Sequence, residues 1–331
     1  MSADLTAGLA AFLSVDLGTP VTVSNLVPVS AGARRRNVVF DADTGSTVLH
    51  LVATIVPEAI ALVPISTEAD VRELARANGV PVPAVVATCT ETEFVGSPFL
   101  LSDRVDGETV PRKVLRLVEQ NGVGELVATQ LGEAMAALHG IDPALAPDTL
   151  PGSAGGDPAR TLLAELTTAV AHLLPDRRVF AFALDWLERN LPALPAQPAI
   201  VHTDIRNGNI IVGSDGLRAV LDWEGAQRFG DPMRDAAWSA LRMWRFRQDD
   251  REIGGFAGRD VFAAAYERRG GTFDADRFHW WKVLGTLWWG VGLASQAAAH
   301  LDGSFRNVVM AASGRRIHEI EWDLLMLVRP T

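Results

Sequence analysis

An α+β protein of two lobes is the fold this chain predicts: a small antiparallel sheet carrying one helix, followed by a larger, mainly helical lobe. Three observations carry that expectation. The chain has 331 residues, 48% of them hydrophobic, which exceeds what one core normally organises and supplies apolar material for two. Apolar residues alternate with period two as far as about Ser102 and recur at about 3.6 from Val123 onward. A short β-hairpin, Asn209 to Asp222, then interrupts the helical pattern. The expected division is residues 1–103 for the sheet lobe and 104–331 for the helical lobe.

The elements follow in order. Val21-Thr22-Val23, Asn37–Phe40 and Ser46–Leu51, with a turn at Asp41–Gly45, form a three-strand meander. Ser66 or Thr67 caps a helix running to about Asn78, with Glu68 in its first turn and Gly79 as its stop. Past Val80-Pro81-Val82-Pro83, the segments Ala84–Thr88 and Pro98–Ser102 complete a sheet of five. Val123–His139 carries Leu126, Leu131, Met135 and Leu138 on one side and reads as a helix. Asp142–Asp157 is rich in Pro, Gly, Ala and Asp and reads as an exposed connection. Further helices are expected at Ala159–Leu174, Arg178–Asn190, Asp235–Arg247, Arg259–Arg269, Phe278–His300 and Ser304–Met326.

Composition excludes several classes. The net charge of −10, with no basic tail or stripe beyond Arg34-Arg35-Arg36, argues against a nucleic-acid partner. Cys89 stands alone, so an intrachain disulfide, a thiolate zinc site and a CxxC pair are excluded, and a reducing cytoplasm fits. Met1-Ser2-Ala3-Asp4 has no basic n-region before a long apolar core, as a secretory leader would. The uncharged run Val283–Ala299 holds Thr286, Ser295, Gln296 and three glycines and reads as a buried helix, not a membrane span. Lysine is confined to Lys113 and Lys282. Oligomeric state is open.

The chemistry concentrates in Val201-His202-Thr203-Asp204-Ile205-Arg206-Asn207-Gly208-Asn209-Ile210 and in Asp222. Asp215-Gly216 is a favoured pair for a two-residue hairpin turn. That register sets Val212 opposite Ala219, Ile210 opposite Leu221 and Asn209 opposite Asp222, converging two oxygen ligands on one cation. In-line phosphoryl transfer needs a carboxylate to accept a hydroxyl proton, ligands for Mg²⁺ and a cation beside the moving group. Asp204 is the candidate base, Asn209 and Asp222 the candidate metal ligands, Arg206 the fixed cation, and His202 the residue that orients the loop. Taken singly, Asp204, Asn207 and Asn209 also suit ordinary turn capping; the set together points to the site. Glu224 either binds a second cation or substrate or is a solvated strand-end carboxylate. Trp244, one of nine tryptophans, either lines an acceptor cavity or packs in the core.

These residues resemble the catalytic loop and metal-binding segment of the aminoglycoside phosphotransferase and choline kinase-like family, which has the protein kinase-like fold. The likeness extends along nearly the whole chain. Ser30-Ala31-Gly32-Ala33 resembles the family's phosphate loop, and Pro98-Phe99-Leu100-Leu101-Ser102-Asp103-Arg104-Val105-Asp106-Gly107 its interlobe hinge. Leu131–His139 resembles the helix supporting the catalytic loop, and Gly230-Asp231-Pro232 with Asp235 the segment after the metal site. The resemblance implies ATP or another nucleoside triphosphate and Mg²⁺ as cofactors, and a small-molecule hydroxyl as acceptor. It implies that Gly32 lies over the phosphates and that the backbone at Leu101, Ser102 and Asp103 meets the adenine. It matches Glu68 to a helix glutamate that normally pairs with a strand cation. At that strand position this chain has His50, which Glu68 would hold as imidazolium, or else Arg34, Arg35 or Arg36 reaches the phosphates instead. A nucleotide-binding pseudoenzyme is the alternative that His50 motivates.

Overall fold

The computed structural model describes residues 2–31 and 35–329. In chain order these form α1 (Ser2–Asp16), β1 (Thr22–Ala31), β2 (Arg36–Asp43), β3 (Val48–Ile55), α2 (Ile65–Ala77), β4 (Val85–Cys89) and β5 (Phe99–Asp103). There follow α3 (Pro111–Asn121), α4 (Gly124–His139), α5 (Pro158–Leu173), α6 (Arg178–Arg189), β6 (Ala199–Val201), β7 (Ile210–Gly213), β8 (Gly216–Val220) and β9 (Gln227–Gly230). The chain ends with α7 (Pro232–Ser239), α8 (Arg259–Arg268), α9 (Ala275–Leu301), α10 (Val308–Ser313) and α11 (Ile317–Val328).

The first five strands make one antiparallel sheet in the order β1-β2-β3-β5-β4. Side chains alternate across it, so Phe99 and Leu101 join a core with Leu5, Leu9, Phe12 and Leu13 of α1, whereas Leu100 joins Ile65 and Ala69 of α2. Helix α1 was not expected, although Leu5, Leu9, Phe12 and Leu13 recur at helical spacing and carry the signal. The inner side of α2 has a second allegiance. Val71 and Ala75, with Val80 and Val82 beyond it, belong to the large core built by the helices of the C-terminal lobe. The fold is therefore α+β and kinase-like, a small sheet lobe over a mainly helical one, as the sequence predicts. No helix among the described residues is long and apolar enough to cross a membrane.

Three local expectations need correction. The helix expected over 235–247 is α7, which begins at Pro232 behind the Asp231 cap and stops at Ala240 before a 3₁₀ turn, Arg242–Trp244. The single helix expected over 304–326 is α10 and α11, separated by a 3₁₀ turn at Gly314–Arg316. Helix α3, missed in the sequence, has Pro111 in its first turn and buries Val114 and Val118, four residues apart.

The link from sheet to helices is tied to the β7–β8 hairpin. Glu108 and Val212 exchange two backbone hydrogen bonds, 2.9 and 3.1 Å. Gly107, at φ 148°, lies so close that a Cβ there would sit 2.5 Å from Ile211 Cγ2 and 2.9 Å from the Val212 carbonyl oxygen. Gly107→Ala is therefore expected to cost about 2–3 kcal/mol by combined strain and overlap. Denaturant unfolding checks this; a change under 0.5 kcal/mol, on the order of a surface substitution, would mean the link accommodates a side chain.

Candidate active site

Strand β6 pairs with β9 and delivers His202 and Thr203 into a loop held from beneath by one buried carboxylate. Asp235 of α7 accepts the backbone N–H of His202 through Oδ2 (2.7 Å) and that of Thr203 through Oδ1 (2.6 Å). Those two bonds, with Thr203 Oγ1 donating to the Gly225 carbonyl at 2.9 Å, hold Thr203 at φ 72°, which a β-branched residue rarely adopts. His139 Nε2 also reaches Asp235 Oδ2 at 3.2 Å, and its Nδ1 meets the Tyr266 hydroxyl at 2.9 Å. Burial alone would raise the Asp235 carboxyl, but the His139 hydrogen bond, the nearby histidines and the His202 N–H hold it below the usual carboxylate range. His202 Nδ1 accepts the Asp204 N–H at 3.2 Å, which makes Nε2 the donor to the Leu221 carbonyl at 3.0 Å. His202 thus fastens the loop to the hairpin's far end.

Asp204 is held by three donors. Arg206 Nε and Trp238 Nε1 donate to Oδ1 at 2.9 and 2.5 Å, and Asn209 Nδ2 donates to Oδ2 at 2.6 Å. One oxygen takes two donors and the other only one, so Oδ2 keeps a lone pair for a further hydrogen. Burial raises the Asp204 carboxyl above its ordinary value, against the opposing pull of Arg206 and the Trp238 indole. Trp238→Phe removes one lowering donor, so the acidic limb of the pH–rate profile is expected to move to higher pH. An unmoved limb with reduced kcat would mean that Trp238 acts only by packing. Arg206 lies over the Trp244 ring, 4.3 Å from its centroid. Trp244 itself is buried and packs with Trp238 and Trp289. It is therefore a core wall that steadies Arg206 beside Asp204.

The hairpin is present, but its register differs from the expectation. Ser214 and Asp215 form the loop between Gly213 and Gly216, and Gly216 takes φ 107°. That turn sets Val212 opposite Leu217, and an irregularity between Val212 and Ile211 then sets Ile211 opposite Ala219 and Ile210 opposite Val220. Asp222 therefore does not face Asn209 as a strand partner. Strand β8 ends at Val220, and Asp222 turns out of the sheet direction at φ 67°, ψ 63°. Glu224 lies on a 3₁₀ turn, Trp223–Gly225, and not on a strand. The donor chemistry still suits a hard cation. Asn209 spends its amide hydrogens on the Asp204 carbonyl and carboxylate, leaving its amide oxygen as an acceptor beside them. Among the described residues no three His, Cys, Asp or Glu side chains converge on a metal cage. One carboxylate and one amide oxygen are what Mg²⁺ takes from a protein when phosphates and water supply the rest.

Across the cleft, Glu68 of α2 is buried, and its partner is Arg35, not His50. Arg35 grips both Glu68 oxygens, Nη1–Oε1 at 3.2 Å and Nη2–Oε2 at 2.5 Å. The same guanidinium stands 3.2 Å from Asp222 and 2.8 Å from Glu224. Burial alone would weaken its charge, but the three carboxylates hold it more firmly protonated than usual. His50 lies directly opposite Asp41 in the β2–β3 register and pairs with it at 2.6 Å, on an exposed part of the sheet. Leu101 and Ser102 are buried in β5, paired with β3 on one side and β4 on the other. Asp103 N–H bonds to Ala84 and Arg104 N–H to His50, so the first backbone beyond the sheet is residues 105–107. Gly32 and Arg34 lie outside the described residues.

Sequence reasoning missed Trp238 as a donor to Asp204, and it placed Asp235 only by position. Trp238 lies three residues beyond Asp235, one helical turn along α7. That spacing is the signal that pairs them.

Fold and site together define a phosphotransferase. The chain belongs to the phosphotransferase enzyme family, whose model matches residues 25–280. A putative aminoglycoside phosphotransferase from Ralstonia eutropha shares the fold with a TM-score of 0.71 at 18% identity, covering 98% of each chain. A type I macrolide 2'-phosphotransferase does so at 0.63 and 18%, over 94% of this chain and 96% of its own. The aminoglycoside phosphotransferase APH(4)-Ia, solved with ADP and hygromycin B, gives 0.61 and 20%, over 98% and 100%. Curated relatives match over about half of this chain. Acyl-CoA dehydrogenase family member 10 of Mus musculus is 28% identical over 49% of this chain and 15% of its own length. A probable acyl-CoA dehydrogenase of Arabidopsis thaliana is 27% identical over 51% of this chain and 22% of its own.

Proposed function

We propose that this phosphotransferase moves the γ-phosphoryl group of ATP, or of another nucleoside triphosphate, to a hydroxyl of a small molecule, with Asp204 as the base. The observation that carries the reading is the three-donor cradle of Asp204, which leaves one Oδ2 lone pair unused on a loop braced by Asp235. The acceptor oxygen attacks the γ-phosphorus as the bond to the β–γ bridging oxygen breaks. The hydroxyl proton passes to Asp204 Oδ2, and the nucleoside diphosphate leaves with the bridging oxygen. Arg206, stacked on Trp244, holds positive charge beside the moving group without having to reorganise. Asp222 and the Asn209 amide oxygen would hold Mg²⁺, which when bound neutralises phosphate charge. The adenine end would meet the backbone of residues 105–107.

The neighbours crystallised with ADP or AMP-PNP and hygromycin B, or with GDP and kanamycin, support a nucleotide and a small hydroxyl compound as the paired ligands. The dehydrogenase names belong to proteins of which the matched stretch is a minor part. Nucleotide consumption with Mg²⁺ across a panel of hydroxyl compounds tests the reading. Acceptor-dependent ADP release is expected. Failure of either ATP or GTP to raise the thermal midpoint at millimolar concentration would overturn it.

A further inference from the structure

We propose that Arg35, immediately before β2, is the phosphate-facing cation of the nucleotide site, supplying from the β1–β2 connection the charge that β3 lacks. The proposal rests on the phosphotransferase reading above and assigns a residue within it. Position 50, where a strand cation was expected, holds a histidine committed to Asp41. Arg35 instead reaches into the cleft with only 10% of its side chain exposed, and both edges of its guanidinium are occupied by carboxylates from two lobes. Glu68 takes the two terminal nitrogens as a fork; Asp222 lies beside Nη1 and Glu224 beside Nε. A lysine ammonium is a compact point charge and cannot hold Glu68 in a planar fork while separate nitrogens meet Asp222 and Glu224.

Charge balance gives the group its role. Glu68, Asp222 and Glu224 face Arg35 and Arg72, whose Nη1 is 4.0 Å from Glu68 while its Nη2 donates to the Pro83 carbonyl. Without Arg35, Glu68, Asp222 and Glu224 would confront a polyphosphate with Arg72 already engaged at Glu68 and Pro83 and with Arg206 already paired with Asp204. Asp222 is also the candidate metal ligand. As nucleotide and metal arrive, Asp222 would pass to the cation and the second N–H of Arg35 Nη1 would face the phosphates, while the first keeps the fork on Glu68. Arg35 is thus both a clamp on α2 and the group that guards Asp222 before nucleotide binds.

The readout is the dependence of affinity on phosphate number. Binding of adenosine, ADP and ATP, with and without Mg²⁺, is measured by calorimetry for the wild type, Arg35→Lys, Arg35→Ala, and Arg35→Met combined with Glu68→Gln. The double variant removes the cation without leaving the buried Glu68 carboxylate unpaired. ADP and ATP affinity is expected to fall about ten- to a hundredfold in the alanine and double variants, and less in the lysine variant, with adenosine within about twofold of wild type. Equal loss for adenosine would make Arg35 a structural residue and overturn the proposal. Unchanged ADP and ATP affinity in the double variant would overturn it as well, as would a loss caused by His50→Ala in its place. A wild-type protein that binds none of the three would instead overturn the nucleotide reading itself.

Discussion

Asp204→Asn is expected to lower turnover about 10²–10⁴-fold while leaving nucleotide affinity intact and thermal stability at or above that of the wild type. The carboxamide keeps an oxygen for Trp238 and Arg206 but cannot take the hydroxyl proton. The stability expectation follows from the direction in which the carboxyl is shifted. Burial raises Asp204, so the native state binds that proton more tightly than the unfolded chain does. Well below both pKa values the group makes no difference; as pH rises through the unfolded and then the folded value, ionisation opposes folding. At neutral pH a neutral side chain relieves this opposition. Steady-state kinetics, nucleotide titration and thermal melts of the same preparation check the result. A fall in kcat matched by a fall in melting temperature would show damage to the loop and not loss of a base.

Asp235→Ala is expected to have the largest effect on stability, about 3–5 kcal/mol. It would strand the N–H groups of His202 and Thr203 and the His139 imidazole in a fully buried site, and it would free Thr203 from a conformation it does not favour. The pH dependence runs opposite to that of Asp204. Because the folded pKa is held below the unfolded one, the stabilisation is complete above the unfolded value, about 3.9, and is lost as pH falls through the folded value. Urea unfolding at pH 7 should show the loss, and the variant should lack the wild type's corresponding slope under acid. Retention of wild-type stability at pH 7 would mean that the loop finds other acceptors.

What could be read in the sequence was what is local in the chain. His202, Asp204, Arg206 and Asn209 lie within eight residues, and the structure gathers them around one carboxylate. The hairpin was legible as a hairpin, but glycines on both sides of Ser214-Asp215 moved the turn by one residue, and the irregular pairing beyond it altered every later opposition. The His50–Asp41 pair was within reach of the sequence, since the β2–β3 hairpin sets the two residues directly opposite. Arg35 was not, beyond its membership of a basic triplet. Its three partners come from α2 and from both sides of Trp223, and only the folded chain brings positions 68, 222 and 224 to one guanidinium. Helix α1 shows the converse: its periodicity was available, but its apolar and small residues carry no chemistry that draws the eye.

The two allegiances of α2 bear on how this protein can be divided. Its Ile65 and Ala69 touch the sheet side, while Val71, Ala75, Val80 and Val82 are interior to the helical lobe. The Val220 N–H bonds to the Pro81 carbonyl at 2.7 Å, which stitches the segment after α2 to the β7–β8 hairpin. A fragment ending at residue 103 would carry those four residues exposed, so the sheet is not a cassette that can be transplanted between homologues. α2 is thus held from both sides, and Arg35 joins its Glu68 to Asp222 and Glu224.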